Sequence, residues 1–241
     1  MLFTTRGIVF QKFNYSESSV IVKIYTEEFG IQSYIVKGIK NKRSSFKLAY
    51  FQPLTILDLV IYHKENKNIH NIKEVKVLYA YHDVMINPVK QSVLLFLNEI
   101  LFKTIKEETQ NELLFEWLFN SLTWLDLTDK KVINYHLVFL FQLSRFLGFY
   151  PKFSDHNEVN YFDLQEGHFQ ADRPEHPNFI SGEIVKLLVL VGKSTFEDSS
   201  ELTLGNKNRR EILETLVNYY QLHLPNISNI KSLEVLQDIM D

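Results

Sequence analysis

At 241 residues, with 45% apolar and 14% aromatic side chains, the chain is long enough for one or two domains and too rich in core formers to be disordered over most of its length. It has no cysteine, which excludes disulfides, thiolate nucleophiles and Cys-ligated zinc and fits a reducing compartment. The formal charge of -3 conceals an asymmetry: of 26 Lys and Arg and 29 Asp and Glu, residues 1–82 hold 12 and 6, leaving 14 and 23 for the remainder. A basic front and an acidic back predict surfaces with different partners.

The N-terminus moves straight into a strand pattern without a leader-like apolar core, and no apolar run, Val93 to Leu97 among them, exceeds five residues, too short to span a bilayer. The expectation is a soluble, cytoplasmic protein without membrane contact.

From Thr4 to Tyr81 the pattern is β. Five runs rich in β-branched and aromatic residues cover positions 7–10, 19–25, 32–36, 54–62 and 69–79. Turn residues separate them at 14–17, 28–30 and 65–68. Lys23 and Asp58, each between apolar neighbours, give the alternation of half-exposed strands. Five strands with a long insertion between the third and fourth predict a small closed barrel, and the OB-fold is the nucleic-acid-binding member of that class. That insertion carries Lys37, Lys40, Lys42, Arg43 and Lys47 with no acid among them. A loop of this kind suits a polyanion, because each cation that neutralises a phosphate releases condensed counterions.

The aromatics of this half are dense. Most must fill the barrel, whereas Tyr15 and Phe46, in predicted loops beside basic residues, are read as base-stacking candidates. Arg6, Lys12 and Lys23 are the neighbouring cations read into the same surface.

A hinge at 80–88 leads to helical periodicity. Pro88 opens a first helix lined by Leu94, Leu97, Leu101 and Ile105. A second is lined by Leu114, Trp117, Leu118, Ser121, Leu122 and Leu125, and a third, from about 129 to 147, is apolar nearly all round and expected at the centre. Gly148 and Pro151 stop it. Residues 150–180 form an irregular insertion with a short hairpin at Tyr161-Phe-Asp-Leu and Gly167-His-Phe. Ser181 is expected to cap a brief helix, and the last helices are expected at about 207–223 and 232–240. The fold class is α+β: residues 1–82 a five-stranded barrel, residues 83–241 an all-α domain.

No catalytic arrangement emerges. The eight glycines form no phosphate-cradling motif, and no nucleophile elbow is present. The pairs Glu27-Glu28 and Glu107-Glu108 are sequence neighbours, which do not face one another on a strand or helix. Asp155, His156, Glu158, His168, Asp172 and His176 share one segment, but their spacing matches no helical zinc motif. The expectation is a non-enzyme without small-molecule substrate, cofactor or metal.

Several stretches together resemble the RecO family of bacterial recombination-mediator and DNA-repair proteins. These are Gly7-Ile-Val, Tyr15-Ser-Glu17, Thr26 to Gly30, Val36-Lys-Gly-Ile-Lys40, Arg43-Ser44 and Leu48 to Leu54 in the opening half. Leu147-Gly-Phe-Tyr-Pro151, Arg210 to Leu224 and Lys231 to Leu236 follow in the family's order. The resemblance implies an N-terminal OB-fold and a helical domain, and a nucleoid-associated place of work. It implies binding of single- and double-stranded DNA, annealing of complementary strands, and partnership with RecR and with the C-terminal tail of single-strand-binding protein (SSB). With RecR, such a protein helps load RecA onto SSB-coated strands. Many members carry two Cys pairs after the Gly-[Phe/Tyr]-x-Pro segment, where a zinc sits. This chain has Asp155, His156, Glu158 and His176 there, so its hairpin is expected to be held by packing of Tyr161, Phe162 and Phe169. The alternative reading is a non-catalytic interaction scaffold with incidental nucleic-acid binding.

Overall fold

In the computed structural model, which describes residues 1–39, 46–153, 159–224, 227 and 229–240, the front of the chain is a closed barrel. Its strands are β1 (Leu2–Asn14), β2 (Val20–Thr26), β3 (Gly30–Val36), β4 (Ile56–Tyr62) and β5 (His70–Tyr79), in the order β1-β2-β3-β5-β4. All neighbours are antiparallel except β3 and β5, which run parallel through Tyr34↔His70 and Ile35↔Asn71. This is the expected five-stranded OB-fold.

The period-2 alternation explains the interior. Val20, Val22 and Ile24 of β2 and Leu57, Leu59 and Ile61 of β4 point inward with Val9 and Tyr34, and all are fully buried. β1 serves two neighbours. Its first half pairs with β4 and its second half with β2, and a bulge between Val9 and Gln11 supplies the bend. Gly7 sits where the pairings overlap; a Cβ there would lie 2.6 Å from Ile24 Cγ2 and 2.8 Å from Leu59 Cδ1, so only glycine fits. In the β3–β4 connection a short 3₁₀ turn (Leu48–Phe51) drops Phe51 into the barrel as a plug.

The sequence changes from strand to helix near residue 82, yet packing groups residues 1–87 with 94–127, and residues 88–93 with 128–241, as two compact units. The barrel's unit therefore includes most of α1 (Pro88–Thr104) and all of α2 (Glu112–Leu127). Asp126, near the end of α2, ties the exit of β5 to that helix. Its carboxylate accepts the Tyr79 hydroxyl at 2.8 Å and the N–H groups of His82 and Val84 at 3.1 and 2.9 Å. Burial works against its charge, but these donors outweigh that and hold its pKa below the usual carboxylate range.

In the second unit α3 (Tyr135–Phe146) is the central helix, buried from Tyr135 through Phe141. It starts later than the periodicity suggested because Asn134 is taken up elsewhere: its amide donates to the carbonyls of Ser199 and Leu202, and its oxygen accepts from Arg209 Nε at 3.0 Å. The helices α4 (Glu183–Lys193) and α5 (Asn206–His223) pack on α3, and α6 (Ser232–Ile239) follows. α4 begins after Gly182, at φ 85°, without a side-chain cap from Ser181.

The expected hairpin is present as β6 (Tyr161–Asp163) and β7 (His168–Gln170), joined by an unforeseen third strand, β8 (Phe179–Ser181). Phe162 and Phe169 are buried and stacked at 4.4 Å, with Phe153 on Phe169 at 5.1 Å and Tyr219 against Phe162 at 5.3 Å. Tyr161 packs edge-on against Phe179 at 5.6 Å. Aromatic packing thus holds this lobe.

Candidate nucleic-acid interface

The register decides what gathers at one end of the barrel. Asn14↔Val20 and Val20↔Val36 place the β1–β2 turn beside the exit of β3, and the Ile39 N–H donates to the Ser18 carbonyl at 2.9 Å, fastening the two. Gly38, at φ 68°, makes the turn that follows β3. Around this junction Lys37 and Lys47 are exposed, and Tyr15 is 61% exposed at the tip of the β1–β2 turn. Lys12 is half-buried near the end of β1, opposite Val22. Lys40, Lys42 and Arg43 lie outside the described residues. Phe46 departs from the expectation of a stacking ring: it is half-buried and packed against the barrel's interior cluster, because the start of the 3₁₀ turn draws it inward.

The outer side of β2 and β3, where OB-folds commonly bind, is occupied by the chain itself. Tyr25 is sandwiched between Phe10 (5.7 Å) and Phe115 of α2 (6.1 Å), and its hydroxyl points to the Asn111 carbonyl at 3.5 Å. The Ile31 N–H donates to Glu107 O at 3.0 Å. Gly30, at φ 61°, lies so close to the backbone of Glu107 and Thr109 that a Cβ would collide with it. Burial raises the Tyr25 hydroxyl pKa well above its usual value, helped by the Glu107 charge.

Arg6 is corrected by the same packing. Its guanidinium donates to Glu27 at 2.8 and 2.5 Å and also to Glu116 of α2, and it lies over the Phe115 and Phe119 rings at 5.1 and 5.6 Å. The hydrogen bonds from Arg6 keep the Glu27 pKa below its ordinary range, against the cost of burial. Arg6 is a fastener between barrel and helix. Its acidic partner Glu116 comes from 110 residues away, which strand alternation cannot reveal. Glu27, for the same reason, is half of an ion pair.

Lys23 is half-buried on the outer side of β2, directly opposite Gln11. Lys103 and Lys106, at the end of α1, were passed over in the sequence; their i, i+3 spacing past a helix's apolar face was the available signal. In the 150–180 segment, Asp155, His156 and Glu158 lie outside the described residues. His176 meets Asp163 at 3.0 Å, and Asp163 also accepts the N–H groups of Gln165 and Glu166 at 2.9 Å, which spends that carboxylate on the β6–β7 turn. Among the described residues no group of three His, Cys, Asp or Glu side chains is placed to hold a metal ion, and no helix is long and apolar enough to cross a membrane.

An OB-fold barrel that bears exposed Lys37 and Lys47 at one end and packs Tyr25 under α2, followed by a mainly helical unit, defines a class of α+β proteins built on a small barrel. The family model described as Recombination protein O N terminal matches residues 1–81, and that described as Recombination protein O C terminal matches residues 87–234. The chain is similar to a DNA repair protein RecO of Azobacteroides pseudotrichonymphae (34% identical, covering all of both chains). It is also similar to those of Phocaeicola vulgatus (36%, 99% of both) and Bacteroides fragilis (35%, all of both). The chain belongs to the RecO family of DNA repair proteins.

Proposed function

We propose that this protein is a non-catalytic recombination mediator: it binds single- and double-stranded DNA and anneals complementary strands. With RecR, it helps RecA replace SSB on single strands. The observation that carries the reading is the contrast within the barrel. On the β2–β3 side Tyr25 is covered by Phe115 of α2, whereas Tyr15 in the β1–β2 turn and Lys37 and Lys47, which flank the basic loop in sequence, are open to solvent. Annealing without covalent chemistry follows from electrostatics. Cations that take up phosphate charge lower the repulsion between two strands held on one surface, with little base preference and steep salt dependence. Lys37, Lys40, Lys42, Arg43 and Lys47 are the residues proposed to do this, with Lys12 and Lys23 beside them and Tyr15 offering a ring to a base.

The test is annealing of SSB-coated complementary oligonucleotides at two salt concentrations, with and without Ala at Lys40, Lys42 and Arg43. The expected result is faster annealing with the intact chain, less at high salt, and slower annealing with the triple variant. Equal rates for the triple variant and the intact chain would reject the site, and no acceleration at all would reject the function.

A further inference from the structure

The end of α1 lies against the outer side of the β1–β2 hairpin, and it adds rings and cations to those the hairpin carries. Phe102 of α1 meets Phe13 of β1 with ring centres 6.4 Å apart, and Phe13 keeps 44% of its surface exposed. Lys106 lays its ammonium over the Phe102 ring, 4.7 Å from the centre, and donates to the Phe102 carbonyl at 2.5 Å. It is thereby held over the helix's C-terminal carbonyls, which favour a cation. Lys103 is anchored one turn earlier by Glu99 at 2.8 Å.

Desolvation, and then the charges of Lys23 and Lys103, lower the pKa of Lys106. The neighbouring acids act elsewhere: Glu107 on Tyr25, Glu108 on His70, and Glu99 on Lys103. Among the described residues no carboxylate pairs with Lys23 or Lys106. Lys23 and Lys106, two like charges without a carboxylate partner among the described residues, with Lys106 lying over the Phe102 ring, form an arrangement that an incoming anion relieves. Phe13 lies two positions before Tyr15 on the same strand end, so the patch continues the open end of the barrel along the hairpin.

We infer that Phe13, Lys23, Phe102, Lys103 and Lys106 form a second subsite for a single-stranded polynucleotide, with a base against the exposed Phe13 ring and backbone phosphates on the lysines. This rests on the DNA-binding function proposed above and extends it onto a helix. The paired rings favour a polynucleotide over an acidic peptide, since every base has a face to stack.

The experiment measures binding of a fluorescent oligo-dT to the full chain across a salt series. Lys103→Ala with Lys106→Ala is expected to shrink the slope of log K against log salt by about 1.4, at about 0.7 per phosphate contact on a single strand. Phe13→Leu, which keeps the apolar contact with Phe102 but removes the ring, is expected to weaken binding roughly tenfold. Binding by the intact chain with an unchanged slope in the lysine variant overturns the subsite and leaves the DNA-binding function standing. No binding by the intact chain at low salt overturns both. Capture of a poly-Glu peptide in preference to oligo-dT, lost in the lysine variant, also overturns the polynucleotide assignment.

Discussion

On one side of the barrel, Tyr25, Gly30 and Ile31 lie under residues 107–115 of the same chain; at the end where β1 turns into β2, Tyr15, Lys37 and Lys47 face water. The two regions use the same residue types, rings and cations on short strands, and differ in what comes to meet them. Arg6 is met by Glu27 and Glu116, and Tyr25 by Phe115; among the described residues no side-chain partner meets Lys37 or Tyr15. An arginine on a basic strand is therefore no guide to ligand contact until the rest of the chain has folded against it. In this barrel Tyr25, Gly30 and Ile31 are packed under the chain itself, and Tyr15, Lys37 and Lys47 are exposed at the turn end.

That contrast can be broken first at Gly30. Alanine there forces a side chain into the left-handed region and into the backbone of Glu107 and Thr109, and is expected to cost about 3 kcal/mol or more in urea unfolding. Unchanged stability would mean that residues 107–109 do not lie on β3. Asp126→Asn comes next, at about 2–3 kcal/mol near pH 7, because an amide cannot accept all the donors that the carboxylate takes. The sign with pH is fixed by the depressed folded-state pKa. The carboxylate's contribution is present above the usual range of about 4 and is lost as pH falls through the folded value. The gap between the intact chain and Asp126→Asn should therefore close on acidification; a gap that stays constant from pH 7 to pH 3 would contradict the role given to this carboxylate.

Arg6→Ala is expected to lose about 2 kcal/mol of stability, discounted for partial exposure, while the salt dependence of DNA binding stays as it was. Arg6→Lys should not restore the loss, since an ammonium cannot serve Glu27 through two parallel bonds and Glu116 as well. A fall in the salt slope with Arg6→Ala would move Arg6 back to the interface. Smallest is Tyr15→Ala, expected to leave the melting temperature unchanged and to weaken oligo-dT binding by about 1 kcal/mol. Unaltered affinity would remove the ring from the site.

The strands were legible because each inward residue follows its predecessor by two, as in Val20, Val22, Ile24 and Leu57, Leu59, Ile61. Their closure was legible only as a class: nothing local in Tyr34 or His70 announces that β3 and β5 run parallel. The basic loop was conspicuous in sequence, and its flanks, Lys37 and Lys47, are exposed. Phe46 and Arg6 were misjudged for one shared reason. A ring beside lysines and an arginine on a strand look alike whether they face solvent or a partner, and their partners are the barrel interior in one case and α2 in the other. The aromatic hairpin was foreseen through Phe162 and Phe169, while β8 was hidden in a stretch rich in Asp, Pro and His with no alternation to betray it.

The most direct test of the contrast is the slope of log K against log salt for single-stranded DNA binding. It is compared between the intact chain, Arg6→Ala, and a variant with Ala at Lys37, Lys40, Lys42, Arg43 and Lys47. An open basic end predicts that the five-fold variant loses about 0.7 in slope for each phosphate contact removed, while Arg6→Ala keeps the slope of the intact chain. A five-fold variant that binds with the intact slope, or an Arg6→Ala variant that loses it, would contradict the account.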